Sequence, residues 1–213
     1  PLLLGTFGLA RSTATHGVLL VGMEPVAIVV LAALFLKEPL TRLKFGAMAL
    51  GLLGATLIVT QGSFEPVPAD AQRVWGDILL AATGLLWALY TVLGKPVLRR
   101  LDPDAFTAVT SLIAFLPVAA LALPGLTLAS AASAPAVAWA GLIYLAAANV
   151  VGPLAWNQAL KTIPAAQTAN FVFIQPLVGV LLGALLGQES LTLWSAAGGA
   201  LIVLGVYAAA HEP

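Results

Sequence analysis

The chain has 213 residues, 61% of them apolar and 8% charged, with a formal net charge of zero. Soluble domains carry about 25% charged residues, so this surface cannot face water all round, and the mean hydropathy is +1.02. Zero net charge gives no support to nucleic-acid binding, and the lack of cysteine excludes disulfides and thiolate metal sites.

Residues 1–10 are apolar but too short to span a bilayer. They open with Pro1-Leu2-Leu3-Leu4-Gly5, without an initiator Met or a basic stretch. They are expected to be the end of an incomplete helix. Seven spans follow, at 14–36, 43–62, 75–94, 106–124, 136–160, 165–187 and 191–210. Each is near the roughly 20 apolar residues that cross a bilayer. Helices are the expected form, because a lone strand leaves its backbone unpaired in lipid. The predicted fold class is an all-α polytopic membrane protein, with about seven full spans plus a partial one.

The first span holds His16 near one end and Glu24 and Pro25 near the middle. An ionisable residue at mid-depth is a functional-site candidate by default. Glu24 either flanks a central cavity, meeting a cationic group or a proton, or is a protonated carboxyl bonded to a neighbouring helix. Pro25 removes a backbone donor and is expected to kink the span. His16 is expected to be solvated, with a pH-sensing role as the alternative. Span 75–94 carries Thr83, Trp87, Tyr90 and Thr91 on one face, and span 136–160 carries Asn149, Pro153, Trp156 and Asn157 on one face. Span 165–187 adds Gln167, Asn170, Phe171, Gln175 and Pro176. Amides are costly in lipid, so these stripes should face the bundle. Glu24, Trp87, Tyr90, Asn149, Trp156 and Gln175 are the candidate substrate-binding residues, with interhelical hydrogen bonding as the alternative. Pro25 and Pro176 are candidate hinges. Gly179, Gly183 and Gly187 at four-residue spacing predict close helix packing inside the monomer, or less readily a homodimer contact. Trp75 and Trp194 are expected as interfacial anchors.

Alternate loops hold Lys37, Arg42 and Lys44, then Lys95, Arg99 and Arg100, then Lys161, whereas the opposite loops hold Arg11 and Arg73. The positive-inside rule places the first set, and the C-terminus, in the cytoplasm.

Displacing the chain by 151 residues superimposes Pro25 on Pro176, Glu24 on Gln175, Glu38 on Glu189, Thr41 on Thr192 and Gly54 on Gly205. Several rare matches at one offset imply an internal repeat. With five spans per unit the two copies must be inverted, a common plan for secondary transporters. The expected organisation is 1–62 as the last part of a first, incomplete repeat, 63–74 as an external loop, and 75–210 as a complete second repeat. Glu38 and Glu189, at helix ends, are expected to cap the following helix or pair with a cation.

The stretches Leu20 to Pro25, Leu34 to Leu40 and Gly46 to Gly54, with their mates Phe173 to Pro176, Leu186 to Leu191 and Gly198 to Gly205, resemble the ends of EamA domains. That family lies in the drug/metabolite transporter superfamily. The resemblance implies ten helices in two inverted halves, and a bacterial inner-membrane carrier that moves a small metabolite or amphipathic compound by alternating access. It also implies export without an ATPase; proton coupling at Glu24 is a further expectation, and no cofactor or metal is expected. The alternative is a non-transporting membrane helper subunit or an inert truncated remnant. Motifs for an ATPase, a zinc hydrolase or a serine hydrolase are absent from the sequence, so an enzyme is not expected.

Overall fold

A computed structural model describes residues 2–12, 14–63, 70–122, 135–185 and 190–211. All regular structure among them is helical: α1 Leu2–Leu9, α2 Ala14–Val21, α3 Glu24–Phe35, α4 Arg42–Thr60, α5 Ala71–Leu98, α6 Pro103–Ala122 and α7 Ala136–Thr162, then α8 Ala165–Asn170, a 3₁₀ turn Phe171–Phe173, α9 Ile174–Leu185 and α10 Leu193–Ala210. Among the described residues, six stretches, including the continuous Ala165–Leu185, are long and apolar enough to cross a membrane, and α3 is a shorter apolar helix. The protein is a multi-pass membrane protein.

The structure corrects two sequence expectations. Span 14–36 is not one kinked helix. It breaks at Gly22 and Met23, with α3 starting at Glu24. Pro25 has no N–H to donate back to residue 21 and favours the first turn of a helix. The chain therefore closes α2 with a tight Met23 N–H to Leu20 carbonyl bond (3.2 Å) and restarts. In the second copy the irregularity takes another form, a 3₁₀ turn immediately before α9, which carries Pro176. The second correction concerns 63–74. Helix α5 begins at Ala71, so Arg73 sits in a helical first turn and not in a loop. The Asp70 side chain accepts the Arg73 backbone N–H at 2.8 Å there, as an N-terminal cap does.

The described chain divides into two compact units, residues 1–94 with 163–213, and residues 95–162. In the first, α4 and α10 pack antiparallel along small residues. A Cβ on Gly54 would lie 2.5 Å from the Gly198 carbonyl oxygen, one on Gly198 would lie 2.5 Å from that of Gly54, and one on Gly205 would lie 2.7 Å from that of Ala47. Residue pairs 54·198 and 47·205 exchange under the 151-residue offset, so the two helices meet as quasi-symmetric mates. Without a hydrophobic drive between helices in lipid, such close backbone approach and the dispersion it allows hold them together. Ile58, Ala55, Ile202 and Phe173 fill the seam. The repeated threonines begin both helices: Thr41 Oγ1 accepts the Lys44 N–H (3.2 Å) and Thr192 Oγ1 accepts the Ser195 N–H (3.1 Å).

Glu38 does not cap the helix that follows it. Its carboxylate accepts the N–H groups of Ala165 (2.9 Å) and Ala166 (3.0 Å), at the start of α8. The residue before them, Pro164, offers no side-chain cap. A carboxylate at that end satisfies two orphan donors and the positive end of the helix dipole. Glu189 lies outside the described residues.

In the second unit, α6 packs on α7. Asn157, fully buried, donates to Thr107 Oγ1 (2.8 Å), and Gln158 donates to Asp104 Oδ1 (3.0 Å). Lys95 donates to the Leu160 carbonyl (3.0 Å), satisfying an acceptor near the end of α7. Residues 136–152 of α7 are all exposed within the unit. So apolar a surface is stable only in lipid or against other membrane helices.

Candidate functional site

The break between α2 and α3 sets Glu24 in the first turn of a helix instead of in its middle. The side chain is 9% exposed. It faces α5 at Gly84, where an added Cβ would lie 3.6 Å from Glu24 Cβ and 3.9 Å from the Leu20 carbonyl oxygen. Among the described residues, no hydrogen bond or ion pair is made by its carboxylate. A buried carboxyl lacking a partner is costly in a low-dielectric setting, and a site that meets a ligand is one reason to keep it.

A second stripe of α5, Thr83, Trp87 and Tyr90, lies to one side of the Gly84 face. Thr83, beside Gly84, donates to the Leu79 carbonyl (2.9 Å), so its hydroxyl is satisfied within its own helix, and its methyl lies 3.5 Å from where a Gly5 Cβ would be. Trp87 and Tyr90 are half-buried, their ring centroids 5.3 Å apart and their planes tilted by 30°. The separation is that of an attractive aromatic pair, and it presents a ring surface on the same helix that contacts Glu24.

The other predicted residues are placed differently. Gln175 is exposed and lines an open apolar groove of about 430 Å³ on α9 with Phe171, Ile174, Val178, Gly179 and Leu182. Pro176 lies beside it, half-buried, whereas Pro25 is fully buried. Asn149 and Trp156 belong to the second unit, where Asn149 is exposed and donates to the Leu145 carbonyl of its own helix (2.8 Å). Trp156 is half-buried. Glu24 meets α5 at Gly84, and Trp87 and Tyr90 lie further along that helix. Of the remaining amides, Asn157 and Gln167 make interhelical bonds, the latter to the Ala209 carbonyl (2.9 Å).

The glycine expectation fails at Gly179, where an added Cβ would meet nothing within 4 Å. Gly187 lies outside the described residues. Close packing instead uses α4 and α10, whose glycines follow a spacing of three and seven residues.

Sequence reasoning also missed a polar cluster between α2 and α5. Asp77 accepts hydrogen bonds from Ser12 Oγ on one oxygen and from His16 Nδ1 (3.2 Å) on the other. Arg73 Nη2 lies 2.6 Å from His16 Nε2. The signal was present as Arg73 and Asp77 four residues apart on one helix face, but Asp77 lies near the end of its span and drew no attention.

The EamA-like transporter family model matches residues 1–60 and 74–210. The chain belongs to the EamA-like transporter family. Among curated relatives, the uncharacterized transporter YyaM of Bacillus subtilis is 28% identical over 203 residues, covering 95% of this chain and 66% of that protein. An uncharacterized transporter of Archaeoglobus fulgidus is 28% identical over 200 residues, covering 93% of this chain and 68% of that protein. A probable terminal-alkyne amino-acid exporter of Streptantibioticus cattleyicolor is 28% identical over 193 residues, covering 88% and 61%. This EamA chain therefore spans about two thirds of the length of the curated relatives it matches. A protein of known crystal structure shares its fold with a TM-score of 0.77 at 20% identity, covering 97% of this chain and 70% of that one.

Proposed function

We propose that the whole EamA protein is a secondary transporter of the bacterial inner membrane, with its C-terminus in the cytoplasm, that exports a small metabolite or amphipathic compound by alternating access. The observation that carries this reading is Glu24, a buried carboxyl at a helix break, packed on Gly84 and on the same helix as the Trp87–Tyr90 pair. Discontinuous helices are a recurrent device for binding substrate near the bilayer midplane, because a half-helix end supplies fixed partial charge without a nearby lipid-exposed loop. Here Glu24 occupies the positive end of α3, so the region favours a cationic or neutral partner over an anion. The aromatic pair supplies a surface for an apolar or planar part of the same molecule, or for its cation. The exporter relative acts on an amino acid by its name, and an amino group is a natural partner for Glu24. A carboxyl that alternately holds a proton and the substrate would also couple the two fluxes. Asn149, Trp156 and Gln175 are proposed to complete the substrate path, and Pro25 and Pro176 to serve as hinges.

The test is a thermal-shift screen of the whole protein in detergent against amino acids and amphipathic amines, followed by flux assays in vesicles. The reading expects stabilisation by some members of the panel, lost in Glu24→Gln and weakened in Trp87→Ala. Absence of any shift or flux across the panel, or shifts unchanged in Glu24→Gln, would contradict it.

A further inference from the structure

Glu38 makes a polar contact between the two copies of the internal repeat, just past the end of α3, and the Glu24 region does not use it. The contact is built from both sides. The Ala32 carbonyl, in the last turn of α3, accepts the N–H groups of Leu36 (2.9 Å) and Glu38 (3.3 Å). Between them Lys37 takes a left-handed φ of 56°, a reversal that ends many helices and that costs energy in a residue with a side chain. Beyond Glu38, the Lys44 ammonium donates to the Pro39 carbonyl (2.9 Å), and Thr41 Oγ1 accepts the Lys44 N–H (3.2 Å). The link from α3 to α4 is thus held at both ends. It aims the Glu38 carboxylate at the N–H groups of Ala165 (2.9 Å) and Ala166 (3.0 Å). Charge-assisted hydrogen bonds of this kind are the strong ones.

Next to that contact the seam is smooth. Helix α3 packs on α8, and the fully buried residues closest to the link are alanines: Ala32 on α3, and Ala165, Ala166 and Ala169 on α8. Methyl groups make few dispersion contacts each and do not interlock, so Glu38 carries much of the resistance to their separation. The α4–α10 seam is unlike it, with backbone oxygens crowding its glycines and Ile58, Ile202 and Phe173 filling it. Asn170 adds a cost to the closed α3–α8 arrangement. It is 2% exposed, its Nδ2 donates to the Ala166 carbonyl of its own helix (3.1 Å), and its Oδ1 has no partner among the described residues. A buried unpaired acceptor is destabilising, and water or a ligand entering beside α8 would satisfy it. The closed arrangement thus satisfies two donors through Glu38 and leaves one acceptor orphaned. Opening reverses both, and two arrangements that trade bonds in this way can interconvert on a small energy difference.

We propose that Glu38 is a latch. Seated on α8, it holds the α3–α8 seam shut; released, it lets that seam open at the Glu38 end while α4 and α10 stay joined as the axis. Its place in a transport cycle rests on the transporter reading above, whereas the latching itself does not.

The sequence contains no cysteine, so one introduced thiol can report on each seam. In the whole protein in nanodiscs, Ala32→Cys reports on α3–α8, and Ala47→Cys, at a position 1% exposed, reports on α4–α10. N-ethylmaleimide labelling of each peptide is read by mass spectrometry, well below the melting temperature. Glu38→Ala is expected to speed labelling at position 32 by about tenfold or more, the effect of losing two charge-assisted bonds. Labelling at position 47 is expected to stay as slow as without the Glu38 change. Unchanged labelling at position 32 would overturn the latch, and so would an equal rise at position 47, which would mean general loosening. If circular dichroism shows that Glu38→Ala does not fold, Glu38→Gln decides, with a rise of about threefold at position 32 from the one bond lost. The labelling needs no substrate. A rise confined to position 32, together with no flux for any compound tested, would therefore refute the transporter reading and support the latch.

Discussion

Helices α4 and α10 are repeat mates, and so are α3 and α9, yet the two pairs have fared differently. In α4 and α10 the offset of 151 residues relates both the sequence and the contacts, down to reciprocal 2.5 Å approaches at Gly54 and Gly198. In α3 and α9 the offset relates the proline and the interrupted backbone but not the surroundings. Glu24 is buried against Gly84, whereas Gln175 is exposed on an open groove. The first pair packs on itself, so a change on one helix must be answered on its mate. The second pair meets unlike partners, and each copy is free to acquire its own chemistry. Structural constraint and freedom to diverge thereby fall on different helix pairs.

The comparison can be broken most severely at the seam. Gly54→Leu or Gly198→Leu should destabilise the protein by roughly 3 kcal/mol or more, because backbone oxygen cannot move aside as a side chain would. Melting in detergent would read the loss, and wild-type stability in both variants would refute the packing. Glu38→Ala should cost about 1–2 kcal/mol by stripping two donors at the start of α8, checked by the same melts; Glu38→Gln should cost less, since an amide oxygen can still accept one N–H. Asn157→Leu should cost about 1 kcal/mol, the scale of interhelical hydrogen bonds in membranes. Gly179→Ala should change stability by less than about 0.5 kcal/mol, because its Cβ enters open space. A large effect there would mean the α9 face is covered by something and would erase the contrast between the two pairs.

Much of the fold was legible because its signals are local. Apolar runs locate spans, Thr41 and Thr192 start helices, and Pro25 and Pro176 mark interruptions. What was not legible is where each residue's partner comes from. Nothing near Glu38 in the sequence indicates that it caps α8, 127 positions away, and nothing near Gly54 indicates Gly198. Glycine spacing alone pointed to Gly179, because a small residue permits close approach without stating whether a neighbour is there. Pro25 was expected to bend a helix. That it ends one depends on Gly22 and Met23 forming a turn that releases Glu24 from mid-helix to a first-turn position. For the candidate site, residue type singled out Glu24, Trp87 and Tyr90 as proposals, while Gly84 and Asp77 went unremarked because their contacts come from residues distant in sequence.

The central claim is that Glu24 owes its importance to its place against α5 and not to the repeat position it shares with Gln175. The direct measurement is flux in vesicles, for a compound identified by thermal shift, through wild type, Glu24→Gln, and the swapped double variant Glu24→Gln with Gln175→Glu. The account predicts that Glu24→Gln lowers flux at least tenfold with little change in melting temperature, and that the swap does not restore it. Wild-type flux in Glu24→Gln, or recovery in the swap, would contradict it.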